Sequence, residues 1–223
     1  FALFRLTEQL RQRGFDYELQ LDNVKFVLNA IDLLASTCNR LGLNDRAQEL
    51  YTEALHAYEQ TLGPHSQRAI ATRSALGAVA QSRSDIEGAD RHYSEALSLA
   101  REHLGPTHDT TLTILNNLGF LMLDMGRLHD ADPVFTESLE TARELFGPDD
   151  ERTIRRIHAM GVLRSRQGRH AEAESMIRKA FEYYRSTFGD QHPDTASAML
   201  PTDMVETMGE FWDGLSDFAE DMG

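Results

Sequence analysis

Apolar residues between positions 112 and 145 recur every three or four places, which is the spacing of one face of an α-helix. They form two groups, separated by Gly126: Leu112, Leu115, Leu118, Leu121 and Met122, then Val134, Phe135, Leu139, Ala142 and Leu145. Glycine ends helices readily, so Gly126 marks a turn between two helices. This part of the chain is predicted to form a helical hairpin.

The hairpin signal returns at a fixed interval. The stretches LGPHS, LGPTH, FGPDD and FGDQH each contain a glycine, and successive glycines are 42 residues apart: Gly63, Gly105, Gly147 and Gly189. Gly42, Gly126 and Gly168 mark the turns within hairpins, and Ser84 takes that place in the second period. A fixed period of this size is the signature of a repeat array. We therefore predict an all-α fold, a right-handed superhelical array of antiparallel helical hairpins, or α-solenoid.

Further columns at the same period predict how the helices pack. One column is always alanine: Ala47, Ala89, Ala131 and Ala173. A column of large residues contains Leu34, Leu76, Leu118 and Met160. The residue after each of these is small and is matched by a bulky residue on the second helix: Ala35 with Tyr51, Gly77 with Tyr93, Gly119 with Phe135, and Gly161 with Ile177. We expect each small residue to let its bulky partner approach closely.

The order of these columns resembles the tetratricopeptide repeat, and the 42-residue period resembles the kinesin-light-chain type of that repeat. The stretch TLTILNNLGFLMLDMGRLHDADPVFTESLETARELFGPDD carries the resemblance most fully. It extends over residues 22–200, about four repeats. Residues 1–21 fall out of register, with Arg5 in the alanine column, and are expected to form a degenerate N-terminal helix. The register fails again at Pro201, so residues 201–223 are expected to form a separate C-terminal helix.

Charge and composition narrow the classes of function. The 223 residues include 36 acidic and 22 basic ones, for a net charge of −14, and an acidic protein repels the phosphates of nucleic acids. No apolar run approaches the roughly 20 residues that span a bilayer. The single cysteine, Cys38, excludes an internal disulfide framework. We expect a cytoplasmic protein with no nucleic-acid or membrane partner and, since it starts at Phe1 rather than Met, a fragment of a longer chain.

No enzyme motif is present in the sequence. It has neither a G-x-x-x-x-G-K phosphate loop nor the H-E-x-x-H or paired-cysteine spacing of metal sites. His108 and His192 share an inter-repeat column with Ser66 and Asp150, so helix capping explains them better than a metal does. Cys38 lies in an apolar column and is expected in the core. The sequence thus predicts no catalytic residue, no metal site and no cofactor.

The resemblance implies a concave wall lined by the first helix of each hairpin, a surface that binds extended peptides or helices. The implied inward positions are Asn29, Asp32, Ser36, Asn39, Ala71, Ser74, Ala78, Gln81, Thr113, Asn116, Phe120, Leu123, Arg155, His158, Val162 and Arg166. Asn116 matches the asparagine that holds a peptide backbone in kinesin-light-chain-like repeats. The residues expected to bind in the groove are Asn116, Phe120, Arg155, His158 and Arg166. Because the wall turns basic at its last repeat, we expect partners that carry acidic groups.

The C-terminal segment has a composition of its own. Residues 202–223 contain seven acidic residues and no Lys or Arg, and their apolar residues are spaced three and four apart, as in an amphipathic helix. We expect this helix to dock on the array through Phe211, Trp212, Leu215 and Phe218. It would either cap the last repeat or compete for the groove, since EFWD is similar to the tryptophan-acidic peptides that kinesin-light-chain grooves accept.

Together these features predict a protein–protein interaction scaffold that binds a peptide or helix of a partner in the concave groove, with no catalysis in this chain. Two alternatives remain open. One is a regulatory repeat module of a larger bacterial signalling enzyme, with a kinase or nucleotide-dependent regulator lying upstream. The other is a kinesin-light-chain-like cargo adaptor.

Overall fold

The computed structural model describes residues 17–192, 195, 196 and 198. Within them the chain forms eight α-helices and no strand, in agreement with the predicted hairpin pattern. The helices are α1 (Tyr17–Arg40), α2 (Asn44–Thr61), α3 (Gln67–Ser82), α4 (Ile86–His103), α5 (Asp109–Asp124), α6 (Leu128–Phe146), α7 (Glu151–Arg166) and α8 (His170–Phe188). The described part of α1 includes Tyr17 and therefore runs across the predicted boundary between residues 21 and 22.

Two compact units divide the chain, one ending at Leu121 and the other beginning at Met122. In the first unit α1 packs on α2, α2 on α3 and α3 on α4, and α1 also contacts α3. In the second unit α6 packs on α7 and α7 on α8. Within each unit these helices that follow one another along the chain are neighbours in space, as expected of a repeat array.

The helix ends lie where the recurring glycines predict them. Gly63, Gly105, Gly147 and Gly189 have φ angles of 91°, 99°, 87° and 87°, a left-handed region that favours glycine. The glycines of the turns within hairpins also have a left-handed φ, but the second repeat has no glycine at its turn. Ser84 replaces glycine yet keeps a φ of 61°, so it adopts the turn conformation at a steric cost.

The alanine column is fully buried in all four repeats, and the four bulky residues of the matching column are buried as well. The close approach predicted from the small residues is present at Gly161, where an added Cβ would lie 2.7 Å from Cγ1 of Ile177. A side chain at this glycine would therefore overlap its neighbour on α8.

Leu34 departs from its column. Leu76, Leu118 and Met160 are buried, whereas Leu34 is 50% exposed. Leu76 is covered because it packs in one cluster with Cys38, Leu50 and other residues of the preceding hairpin. Helix α1 is the first described helix, and Leu34 has no preceding hairpin within the described residues.

Candidate functional site

A pocket of about 370 Å³ opens between helices α1 and α3. Its lining comes from three helices: Asp32, Leu33 and Ser36 on α1, Tyr51 on α2, and Arg68, Ala71, Thr72 and Ala75 on α3. Three of these residues, Asp32, Ser36 and Ala71, occupy positions that the sequence places on the concave wall. The pocket therefore belongs to the predicted binding surface, although none of the five residues expected to bind in the groove lines it.

Asp32 is the acidic group of this pocket. Its Oδ2 atom accepts a hydrogen bond from the Tyr58 hydroxyl at 2.6 Å. Its Oδ1 atom is buried and has no hydrogen-bond partner among the described residues. Burial raises the pKa of the Asp32 carboxyl, while the hydrogen bond from Tyr58 and the charge of Arg68 act in the opposite direction. The second oxygen is an acceptor that the fold leaves unused.

Two tyrosines from α2 reach towards this carboxylate. Burial raises the pKa of Tyr58, and the bond to Asp32 raises it further, so the Tyr58 hydroxyl keeps its proton and remains a donor. Burial and the nearby charge of Asp32 also raise the pKa of Tyr51. Ser36 donates its hydroxyl proton to the Leu33 carbonyl at 2.9 Å, and its side chain also forms a hydrogen bond with the Tyr51 side chain.

Unused acceptors recur at other predicted wall positions. The side-chain Oδ1 atoms of Asn39 on α1 and Asn116 on α5 are buried without a partner within the described residues. The neighbouring Asn117 differs, because its amide donates to the Ser74 hydroxyl at 3.4 Å. Phe120 lies one turn beyond Asn116 and is half-buried. Buried acceptors of this kind normally find a donor, so both oxygens are unsatisfied within the described residues, and a ligand reaches them only if their side chains move.

The three basic wall residues expected in the last repeat all lie on α7, but they do not form one cluster. Arg155 and Arg166 share a face of the helix and are eleven residues apart, which is about 16 Å along the axis. Arg155 is exposed and pairs with Glu151 at 2.6 Å. His158 is half-buried, and desolvation lowers its pKa, which favours the neutral imidazole. The positive charge of this wall therefore depends mainly on Arg166.

A polar cluster between α6 and α7 was not foreseen from the sequence. Arg164 donates to both carboxylate oxygens of Asp132, at 2.5 Å and 3.2 Å, and the Gln167 amide donates to the same carboxylate at 3.0 Å. These bonds hold the pKa of Asp132 at about 2. Arg164 occupies the apolar column of Cys38, Ala80 and Met122, so periodicity alone indicates a core residue there.

The capping interpretation of the inter-repeat histidine column is confirmed at His108. Its Nδ1 atom accepts a hydrogen bond from the Thr110 amide at 3.1 Å, as Ser66 does from Ala69 and Asp150 from Arg152. No group of three His, Cys, Asp or Glu side chains that could hold a metal occurs among the described residues. Cys38 is buried, as expected of a core residue.

The tail-docking residues Phe211, Trp212, Leu215 and Phe218 lie outside the described residues. In the part of the chain that the structure describes, no helix has the length and apolar character needed to cross a membrane.

Comparison with solved structures places this fold among known repeat proteins. BtubC (BKLC) from P. vanneervenii is 23% identical with a TM-score of 0.64, over 98% of this chain and 83% of that one. A Podosopora anserina kinesin light chain protein with nearly identical TPR-like repeats is 15% identical with a TM-score of 0.59, over 77% and 81% of the two chains. A single-substitution variant of that protein is 13% identical with a TM-score of 0.62, over 86% of this chain and 92% of that one. These likenesses confirm the predicted all-α, α-solenoid fold class.

A search among curated proteins gave no match. The sequence model of the tetratricopeptide repeat matches at residues 27–102, 68–144, 110–186 and 156–200, which together extend over most of the chain. Tetratricopeptide repeats are protein–protein interaction modules and typically non-catalytic scaffolds, in line with the sequence prediction. The periodic glycines, the buried alanine column and this match lead to one conclusion: the chain belongs to the tetratricopeptide repeat family.

Proposed function

We propose that this chain is an interaction scaffold that binds an extended peptide or a helix of a partner protein along the first helices of its hairpins, without catalysis of its own. One observation carries the proposal. The predicted wall positions Asp32, Asn39 and Asn116 each hold a buried side-chain oxygen with no partner within the described residues. A peptide backbone presents N–H donors at regular intervals, so a bound segment would supply the donors that these acceptors lack once their side chains turn towards the groove.

The proposal extends to the predicted groove residues. Asn116 would hold the backbone of the bound segment, and Phe120 would contact its apolar side chains. On α7, Arg166 is exposed and has no ion pair among the described residues, so it would attract acidic groups of the partner. His158 would act as a neutral hydrogen-bonding group because burial lowers its pKa.

Selection of peptides from a random library by the full chain tests this function, followed by affinity measurements on the selected peptides. Asn116→Ala should weaken their binding about tenfold, the effect of losing a well-made hydrogen bond in a buried site. Asn117→Ala is the matched control, because that amide donates to Ser74 and should matter little for the peptide. If no peptide is selected, or if both variants bind like the parent, this groove is not the binding surface.

The regulatory module and the cargo adaptor both require such a groove. They differ in the domains that would accompany the repeat array. Sequencing the gene upstream of Phe1 separates them, because a phosphate loop or kinase motif there would favour the regulatory module. For the cargo adaptor, the solved structures with kinesin light chain in their names support only the fold, since they are 15% and 13% identical to this chain. The general scaffold is therefore the function that the chain supports best.

A further inference from the structure

The pocket between α1 and α3 differs in chemistry from the basic wall of α7. Its acidic group is the carboxylate of Asp32, whose Oδ1 atom has no hydrogen-bond partner within the described residues. Its sides are apolar, formed by Leu33, Ala71 and Ala75. Its volume, about 370 Å³, is at the small end of the range for ligand pockets.

We infer that this pocket receives one lysine or arginine side chain of the bound partner, with the aliphatic stem against the alanines and the cationic group on Asp32. This inference rests on the proposed function, since it names the chemistry that the same wall selects in its first two repeats. A cation is favoured over a neutral donor because the facing group is a carboxylate, and hydrogen bonds between charged groups are roughly twice as strong as neutral ones.

Tyr58 keeps the carboxylate in place for this contact. Its hydroxyl occupies Oδ2 at 2.6 Å, and Oδ1 is unpaired but closed off from solvent, so a ligand cation reaches it only when the side chains that cover it move. The bond also restrains the side-chain rotamer, which keeps the charge of the carboxylate at the wall of the pocket.

Arg68 is the competing charge of the pocket. It is exposed on the first turn of α3, and its charge acts on Asp32. An exposed guanidinium is screened by solvent and salt, and it keeps its own hydration, so it balances the carboxylate only partly. A ligand cation that enters the pocket loses solvent around it and gains more from the same carboxylate.

The experiment uses the full chain and two side-chain analogues, n-butylammonium and n-butylguanidinium, with n-butanol and butyrate as neutral and anionic probes. Binding is followed by NMR at the methyl groups of Ala71 and Ala75, with the methyl group of exposed Ala171 as a reference. The two cations should shift the pocket methyls in a saturable manner, and n-butanol should bind about tenfold more weakly. Equal binding of n-butanol, or tighter binding of butyrate, would overturn the inference.

Two variants separate charge from structure. Asp32→Asn keeps the shape and an oxygen for Tyr58 and should lower cation affinity about tenfold. Arg68→Ala removes the competing charge and should raise it about threefold, an outcome that a damaged fold does not produce. If neither variant changes cation affinity, Asp32 is not the contact.

The outcomes also separate this inference from the proposed function. Library peptides that depend on Asn116, show no enrichment of Lys or Arg and bind equally to Asp32→Asn would retain the groove and refute the cation pocket. Saturable cation binding to a chain that selects no peptide would retain the pocket and refute the groove.

Discussion

Gly77 on α3 faces the aromatic ring of Tyr93 on α4 so closely that an added Cβ would lie 2.8 Å from both Cδ1 and Cε1 of the ring. Tyr93 is fully buried, so the ring has no open space to move into. The close spacing of α3 and α4 therefore depends on the lack of a Cβ atom at Gly77.

Gly77→Ala should destabilise the protein by about 1–2 kcal/mol, because overpacking in a rigid core outweighs the gain in helix propensity of about 1 kcal/mol. Urea unfolding of the variant and the parent measures the difference. Ser98→Ala, at an exposed position of α4, provides the control and should be neutral or slightly stabilising. A Gly77→Ala protein as stable as the parent would mean that the two helices can separate at little cost.

Ser84→Gly should stabilise the chain by about 1 kcal/mol, since a residue with a Cβ pays this penalty at a φ of 61° and glycine does not. The reverse change at the equivalent turn, Gly42→Ser, should destabilise by a similar amount. Nothing lies within 4 Å of a Cβ built at Gly42, so the stability change of that variant reports the cost of the backbone conformation without a steric clash. Both values come from thermal unfolding, and effects of the same sign in the two variants would contradict the explanation.

The Asp132–Arg164 pair should make the free energy of unfolding depend on pH below about pH 4. The pKa of Asp132 is about 2 in the folded protein and 3.8 as its ordinary value, so its contribution is complete above about pH 4 and is lost as the pH falls towards 2. Asp132→Asn should cost roughly 1 kcal/mol at neutral pH, allowing for solvent screening of a partly exposed carboxylate.

Urea unfolding of the Asp132→Asn variant and the parent between pH 5 and pH 3 measures this contribution, and the gap between the two proteins should narrow as the pH falls. Asp130→Asn is a suitable control, because Asp130 pairs with Arg127 on an exposed surface. A gap that stays constant with pH would exclude the ion pair as its cause.

Charge reversal on α7 should weaken the binding of acidic partners. Arg166→Glu is expected to lower the affinity of acidic library peptides about threefold at low salt, and the effect should shrink as salt is added. Arg143→Glu places the same charge change on the exposed surface of α6 and should leave affinity unaltered. Equal losses in the two variants would show that overall charge, rather than the wall position, governs binding.

The sequence was sufficient for the fold because each helix boundary depends on a residue with a local backbone requirement. Gly63 and Gly147 predict helix ends because glycine readily adopts the left-handed conformation found there. Ala131 predicts a close helix contact because alanine recurs in its column. Even Ser84 could be assigned to a turn, because its place in the period indicated one. These features need no knowledge of which distant residues come into contact in the fold.

The sites could be predicted only partly, because they depend on pairs that the period does not align. Asp132 and Arg164 are 32 residues apart, and Arg164 stands in a column where the other repeats have apolar residues. For Asp32 the sequence indicated a wall position, but its bond to Tyr58 and its unused oxygen follow from the packing of α1 on α2. The positive charge expected of the α7 wall is also reduced, because Glu151 forms an ion pair with Arg155.

The left-handed glycines at the repeat joints have a consequence for how such a gene can evolve. At Gly63, Gly105, Gly147 and Gly189 nothing lies within 4 Å of an added Cβ, and all four glycines have a left-handed φ of 87–99°. An in-frame duplication or deletion of 42 codons that begins and ends at two such joints recreates an existing junction and introduces no new backbone conformation. The number of repeats is thus a heritable quantity that can change in whole steps, while every hairpin keeps its own fold.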